Sequence, residues 1–477
     1  MNRVSWLCCV VVLAAPVSTA KGQPGDVGAS IAGIEDVLTG VAGYTPTEVP
    51  SPPGEALVLD LRRCVELAMD RNAQALIAAE AVLAKRAQAG QARALRRPLV
   101  KTRAGYMYIR GLDQDISVSP LSGLFVDAAK FEAEKGTFTT EFLIEQVLYA
   151  GGQIKAGIDA SKYLAESEDW KRQAALDQLE YEAKQAFYDC LLATALARVA
   201  QDSVTTFERH KADAEQMLEV GLVSHFEVLR AQTELSARQA GLESALSAEK
   251  IAMLNLRRIL AMPADHPLRL EGKLEWTPIT EPAEALVAAA FEQRAELKAL
   301  QSGIAAARSN VSRARGGYKP KIAASAQWQN VDGGGSFMPD GWTFSVGAEW
   351  ELYTGGGRKH ALLEAEAQLR NIEYQRDDVL RLVELDVRQA YIRFQEAIAK
   401  IRKENDTVAL GREGLRLAQL RFQEGIGTQG EALDAELALT QARTALTQAL
   451  RDYAVAIAAL DKAVGCGWAS GLSPVSE

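Results

Sequence analysis

The sequence holds little with which to build a disulfide-stapled, metal-binding or helical membrane protein. Only five cysteines occur in 477 residues, and two of them, Cys8 and Cys9, fall inside an apolar N-terminal run. The other three, Cys64, Cys190 and Cys466, are odd in number and far apart, so no disulfide framework is indicated. The four histidines, His210, His225, His266 and His360, are isolated and match no HExxH or other metal-ligand spacing. No GxxxxGK[ST] loop is present, so the chain cannot itself couple ATP hydrolysis. The Gly333-Gly334-Gly335 run lacks a following basic helix and reads as a loop tip, not a phosphate cradle. The formal net charge of −9 is spread without a basic patch, which argues against a nucleic-acid partner. Neither a cofactor, a metal nor catalysis is expected.

Long apolar runs are also missing. After the N-terminus no stretch approaches the ~18 uninterrupted apolar residues of a spanning helix. The N-terminus itself is Met1-Asn2-Arg3, an apolar run over residues 4–17, then Ser18-Thr19-Ala20. That is the order of a secretory signal peptide over residues 1–20. The small residues that lipoprotein processing would need around Cys8 and Cys9 are lacking, so a lipid anchor is not indicated.

The most informative absence is proline. Residues 154–220 contain none, and the stretch ends at Gly221. A second proline-free stretch, residues 358–424, lies 204 positions later and ends at Gly425. As continuous helices each would be roughly 100 Å long, several times an ordinary helix. The first carries Leu176, Leu179, Ala183, Ala186, Cys190, Ala193 and Ala197 at 3-4-3-4 spacing. Leu380, Val383, Val387, Ala390, Phe394, Ala397 and Ile401 occupy the matching places in the second. A 3.5-residue average marks a left-handed coiled-coil seam. Tyr188, Leu192, Leu196 and Val199 add apolar positions beside the first seam. The rods alone fit a long dimeric coiled coil as well as a bundle or ring of helices.

What lies between the rods repeats too. Residues 21–56 are a Pro/Gly-rich leader. Residues 57–261 form a first repeat. It consists of a helix over 60–97, strands over 102–110 and 137–149, the rod, a turn at 222–224 and a helix over 227–260. A proline-spaced connector spans 262–281. Residues 282–464 form a second repeat in the same order, with a helix over 282–315, strands over 321–330 and 343–352, the rod and a helix over 428–464. Residues 465–477 are a tail. Pro98 matches Pro320 at an offset of 222, whereas Tyr149 matches Tyr353, and Gly221 Gly425, at 204. The difference of 18 falls inside the hairpin loop of each half, and internal repetition of this kind identifies an architecture better than any one motif.

The strands alternate. Ala104, Tyr106 and Tyr108 share a face, as do Phe138, Thr140, Phe142, Ile144 and Leu148, with Thr139, Glu141 and Glu145 opposite. Ile322, Ala324, Ala326 and Trp328 oppose Ser325, Gln327 and Gln329. Phe344, Val346, Ala348, Trp350 and Leu352 oppose Ser345, Glu349 and Glu351. One apolar and one polar face over 9–13 residues suits strands tilted across a bilayer, which need about 9–11. Four strands cannot close a barrel, and open edges in lipid leave N–H and C=O groups unpaired. If these strands span a membrane, copies from other chains must complete the wall.

These features resemble the outer-membrane efflux family, the TolC-like outer membrane factors. The resemblance covers residues 57–464 and rests on four motifs besides the doubled order. Tyr149-Ala150-Gly151-Gly152 and Tyr353-Thr354-Gly355-Gly356 enter the rods. Gly221-Leu222-Val223-Ser224 and Gly425-Ile426-Gly427-Thr428 turn the chain at their ends. The resemblance implies a mainly α protein with a transmembrane β-barrel portion. It would be a homotrimer with a 12-stranded barrel in the outer membrane and a long periplasmic α-helical barrel, two repeats per chain. Such a protein is an exit duct for a tripartite efflux pump or type I secretion system, partnered by a periplasmic adaptor and an inner-membrane transporter. The eight residues of the two turns would then be adaptor-docking tips. Glycine permits the left-handed backbone that ends a helix, and Ser224 and Thr428 can cap the next one. Glu431 and Asp434, at i and i+3 on one helix face, match acidic positions that narrow the periplasmic entrance in the family. The first half has Glu227 and Arg230 there, so only one half supplies a purely acidic pair. A periplasmic coiled-coil scaffold without a channel, or a stand-alone porin, are the competing readings.

Overall fold

The computed structural model describes residues 57–107, 137–221, 223–276, 282–332, 341–424 and 426–465. The signal peptide, the leader, residues 108–110 of the expected first strand, the first hairpin loop, Leu222, residues 277–281 of the connector, the Gly333-Gly334-Gly335 loop tip, Gly425 and the tail after Gly465 lie outside them. The described elements all belong to one contact unit, Ala56–Glu477. In chain order they are β1 (Leu57–Leu59), α1 (Leu61–Arg71), α2 (Ala73–Ala94), β2 (Leu99–Met107), β3 (Thr137–Ala150), α3 (Gln153–Glu219) and α4 (His225–Ile259). Then follow β4 (Leu268–Leu270), α5 (Ala283–Gln293), α6 (Ala295–Gly316), β5 (Lys321–Asp332), β6 (Gly341–Glu349), α7 (Gly357–Gln423) and α8 (Gln429–Val464).

The two rods are α3 and α7, each an unbroken helix of 67 residues. Each is entered through a glycine pair in left-handed conformation, Gly151 and Gly152 at φ 62° and 89°, and Gly355 and Gly356 at φ 62° and 87°. Residues with a Cβ resist those angles, so strand and helix meet at glycine. The 3-4-3-4 seams are core. Leu179, Ala183, Ala186, Cys190 and Ala197 are buried on α3, and Val383, Val387, Ala390, Phe394, Ala397 and Ile401 on α7. α3 packs against α2, α4, α6 and α8, while α7 packs against α5, α6 and α8. A rod with neighbours on more than one side is a bundle member, not half of a two-stranded coil.

Each helix expected before a hairpin is in fact two. The span 60–97 breaks at Asn72, and the span 282–315 breaks at Arg294, both with extended backbone (φ −64°, ψ 135° and φ −56°, ψ 124°). The break frees a side chain for another helix's end. Asn72 Oδ1 accepts from the N–H of Gln74 at 2.8 Å, while its Nδ2 donates to the Ile259 carbonyl at 2.8 Å. Arg294 Nη1 donates to the carbonyls of Lys462 and Ala463 at 3.1 and 3.3 Å, and Nη2 to Asp386 at 3.1 Å. Both residues thereby satisfy carbonyls that the last turns of α4 and α8 leave open. Each half has its own core around this region. Cys64, Ala68, Leu179, Ala183, Cys190 and Leu256 lie in one, and Leu286, Ala290, Val383, Val387, Phe394 and Leu460 in the other. A short parallel pair, β1 with β4, joins the start of the first repeat to the connector and was not anticipated from sequence.

The four long strands form one antiparallel sheet of order β2-β3-β5-β6. Its boundaries differ from the expected ones in two instructive ways. A register shift between Val147 and Tyr149 leaves Leu148 as the extra residue of a bulge and sets Tyr149 opposite Ile322. Leu148 therefore does not continue the face of Phe142 and Ile144. β6 stops at Glu349, short of the expected Leu352, because beyond it the chain offers no strand to pair with.

Candidate functional site

The sheet is a two-faced wall. Across it run the rows Val100–Ile144–Ala326–Phe344 and Thr102–Phe142–Trp328–Trp342. Trp342 stands edge-on to Phe142 at 6.1 Å and stacks on Phe344 at 6.0 Å. Phe344 and Val346 are 76 % and 72 % exposed, which water does not favour and lipid does. The other face carries Lys101, Arg103, Glu141, Glu145, Ser325, Gln327, Gln329 and Ser345. There Arg103 pairs with Glu141 at 3.0 Å and Lys101 with Glu145 at 3.5 Å. Ser325 and Ser345 share a hydrogen bond of 2.8 Å. The outer edges of β2 and β6 have no partner strand among the described residues.

At the far end of the rods lie the two turns. Gly221 is left-handed at φ 75°, and its N–H reaches the Leu218 carbonyl at 3.0 Å. Ser224 has N-cap backbone angles but makes no side-chain cap bond; only its carbonyl is engaged, by the Glu227 N–H at 3.0 Å. Thr428 caps as expected, its Oγ1 accepting from the Glu431 N–H at 3.2 Å. Ile426 and Gly427 both donate to the Arg421 carbonyl, at 3.0 and 2.9 Å, folding the second turn back on the end of α7. A Cβ on Gly427 would lie 3.0 Å from Arg421 Cβ, a tight approach that the end of α7 would have to yield to accommodate. Val223 is half-buried.

Glu431 and Asp434 are both exposed on the first turns of α8. Glu431 lies 3.7 Å from Arg421, whereas Asp434 makes no ion pair among the described residues. Sequence reasoning missed what surrounds them. Arg230 of α4 lies against Gly430, where an added Cβ would meet its Nη1 at 2.9 Å. The buried Gln429 donates to the His210 carbonyl of α3 at 3.4 Å. Leu433 packs with Val204, Phe207 and Leu235. The start of α8 is thus seated on the first half's rod and return helix. Reading each half separately gave no signal for this. Exposed apolar residues also gather at the turns: Val220, Phe226, Leu229 and Ile426.

No helix among the described residues is long and apolar enough to cross a membrane. The sheet carries a surface that suits lipid in its exposed Phe344 and Val346. The chain is 25% identical over 393 residues to the outer membrane efflux protein BepC of Brucella suis, covering 77% of this chain and 82% of that one. It is 23% identical over 418 residues to the alkaline protease secretion protein AprF of Pseudomonas aeruginosa, covering 85% and 84%. The fold matches the solved outer membrane protein VceC of Vibrio cholerae with a TM-score of 0.71 at 19% identity, covering 86% of this chain and 96% of that one. Residues 65–262 and 286–466 match the family described as outer membrane efflux protein, most of both halves, and the chain belongs to that family.

Proposed function

We propose that three copies of this chain close a twelve-stranded barrel in the outer membrane and continue it as a helical tunnel into the periplasm. The assembly is the exit duct of a tripartite efflux pump or type I secretion system, joined by a periplasmic adaptor and an inner-membrane transporter. The observation that carries this is the sheet: an exposed apolar face, a polar face, and two unpartnered edges, joined through glycine pairs to 67-residue helices. Each unpaired edge group would cost several kcal/mol in lipid. A coiled-coil scaffold would need neither the edges nor the aromatic face. Transport through such a duct is passive, and the transporter's energy source does the work.

The turns are the docking tips in this reading. Gly221, Leu222, Val223, Ser224, Gly425, Ile426, Gly427 and Thr428 are the residues assigned to them, and exposed Phe226 and Ile426 offer apolar contact to a helical hairpin. Glu431 and Asp434 form the entrance ring, with carboxylates crowded about an axis favouring cations. In planar bilayers the purified protein gives discrete channels. The double variant Glu431→Gln/Asp434→Asn loses cation preference toward that of bulk solution, with Asp434→Asn the larger single effect because Glu431 is already beside Arg421. Unchanged selectivity removes the ring assignment, and no channels at all removes the duct.

A further inference from the structure

The repeat acts as an operator. Residues before the hairpin loop recur at +222 and residues after it at +204. Four contacts of unrelated kinds obey it. The pairing Leu99↔Glu145 recurs as Lys321↔Glu349. Arg86–Asp169 at 2.9 Å recurs as Arg308–Glu373 at 3.5 Å. Gln146 donating to the Arg96 carbonyl at 3.2 Å recurs as Trp350 donating to the Tyr318 carbonyl at 3.2 Å. Asn72 on Ile259 recurs as Arg294 on Ala463.

Some contacts between the halves have no image among the described residues, among them the seam where β3 meets β5 and α3 meets α6. The image of that seam needs β6 and α7 of one copy against β2 and α2 of another, and among the described residues no strand of this chain covers the free edges of β6 and β2. β3 extends to Ala150 because its last residues pair with β5 alone; their images, residues 350–354, have no partner strand. Gly151 is wedged so that a Cβ would lie 2.3 Å from the Gly316 carbonyl; its image Gly355, at the same φ, faces nothing within 4 Å. Ala299, whose carbonyl accepts from Ser167, is buried, whereas its image Ile77 is 68% exposed. Trp170 is covered by Lys298 at 4.8 Å, whereas its image Tyr374 is 70% exposed.

We infer that the seam between copies is the image of this internal seam, with β6 antiparallel to β2 of the next copy and Val346 opposite the partner's Tyr106, as Phe142 is opposite Trp328. This rests on the shared-barrel reading and fixes what that reading leaves open, the register. Charge supplies an independent check. The register sets Glu349 opposite the partner's Arg103 and Glu351 opposite the partner's Lys101. The internal counterparts are Glu145↔Ser325 and Val147↔Ala323, so the operator did not build that complementarity in. A slip of one residue would turn the apolar face of β6 to the polar side and lose both pairs.

Cysteine locking in the full-length protein, with Cys466→Ser as background, tests it. Residues directly opposite on paired strands are within disulfide reach. Within one chain β2 and β6 stand at opposite edges of the sheet, about 14 Å apart, and cannot be bridged. Val346→Cys/Tyr106→Cys on one face and Glu349→Cys/Arg103→Cys on the other are expected to convert monomer to covalent trimer under mild oxidation. Their yield should be at least tenfold that of the single variants and of the slipped pair Val346→Cys/Gly105→Cys. Native mass in detergent separates the two ways to fail. A trimer in which the slipped pair locks, or in which neither predicted pair locks, overturns the register alone. A monomer overturns the register and the shared barrel together.

Discussion

Lys184 shows what single residues contribute. Its ammonium lies 2.8 Å from Asp461 of α8 and 2.7 Å from Glu180 of its own helix, with Asp461 almost fully buried. Burial alone would lower the Lys184 pKa, but the hydrogen bonds to Asp461 and Glu180 outweigh it and hold it above the usual lysine value. Beside it Arg451 bonds Asp189 at 2.7 Å and Lys462 donates to Gln178. Together they clasp α8 to α3. Replacing Lys184 by Met removes this ammonium from beside a buried carboxylate and should destabilise the protein by about 3 kcal/mol, read from urea unfolding in detergent. Lys184→Met/Asp461→Leu should lose much less than the two single variants added together. The cysteines are the opposite case. Cys64 occupies the place of Leu286 and Cys190 that of Phe394, so each is a core hydrophobe in its half. Burial, then the Asp60 charge, raises the Cys64 thiol to about 12; burial, then Asp189, does the same for Cys190. Few thiolates form at pH 8, and alkylation by maleimide should be roughly a thousandfold slower than in denaturant.

Among the elements, the breaks at Asn72 and Arg294 are the ones the sequence hid. Neither residue stops helices as proline does, and local propensity ran straight through both. Their reason lies far along the chain, at the ends of α4 and α8. Asn72→Ala should cost about 1–2 kcal/mol, because it removes both the cap on α2 and the bond to Ile259, and thermal unfolding would register it. The rods were legible because proline-free length, 3-4-3-4 spacing and terminal glycines all pointed one way. The hairpins were legible in outline from alternation, and the offsets of 222 and 204 aligned them. The bulge at Leu148 and the early end of β6 were not, since both depend on what lies on the next strand. At the tips, turn chemistry was readable for Gly221 and Thr428 but not for Ser224. The seating of Gln429 and Arg230 was invisible because it joins opposite halves.

For the whole molecule the decisive quantity is the apolar face of the sheet. In the duct reading that face meets lipid, and salt washing should leave the protein in the membrane while detergent releases it. Release by salt alone would return the case to a periplasmic scaffold. The duplication also makes the chain its own control. Arg86 with Asp169 and Arg308 with Glu373 are one arrangement occurring twice, differing by a single methylene in the acid. A double-mutant cycle on each would weigh the two pairs against one another in the same fold and the same bilayer, the Asp169 pair at 2.9 Å beside a covered seam and the Glu373 pair at 3.5 Å beside an open one.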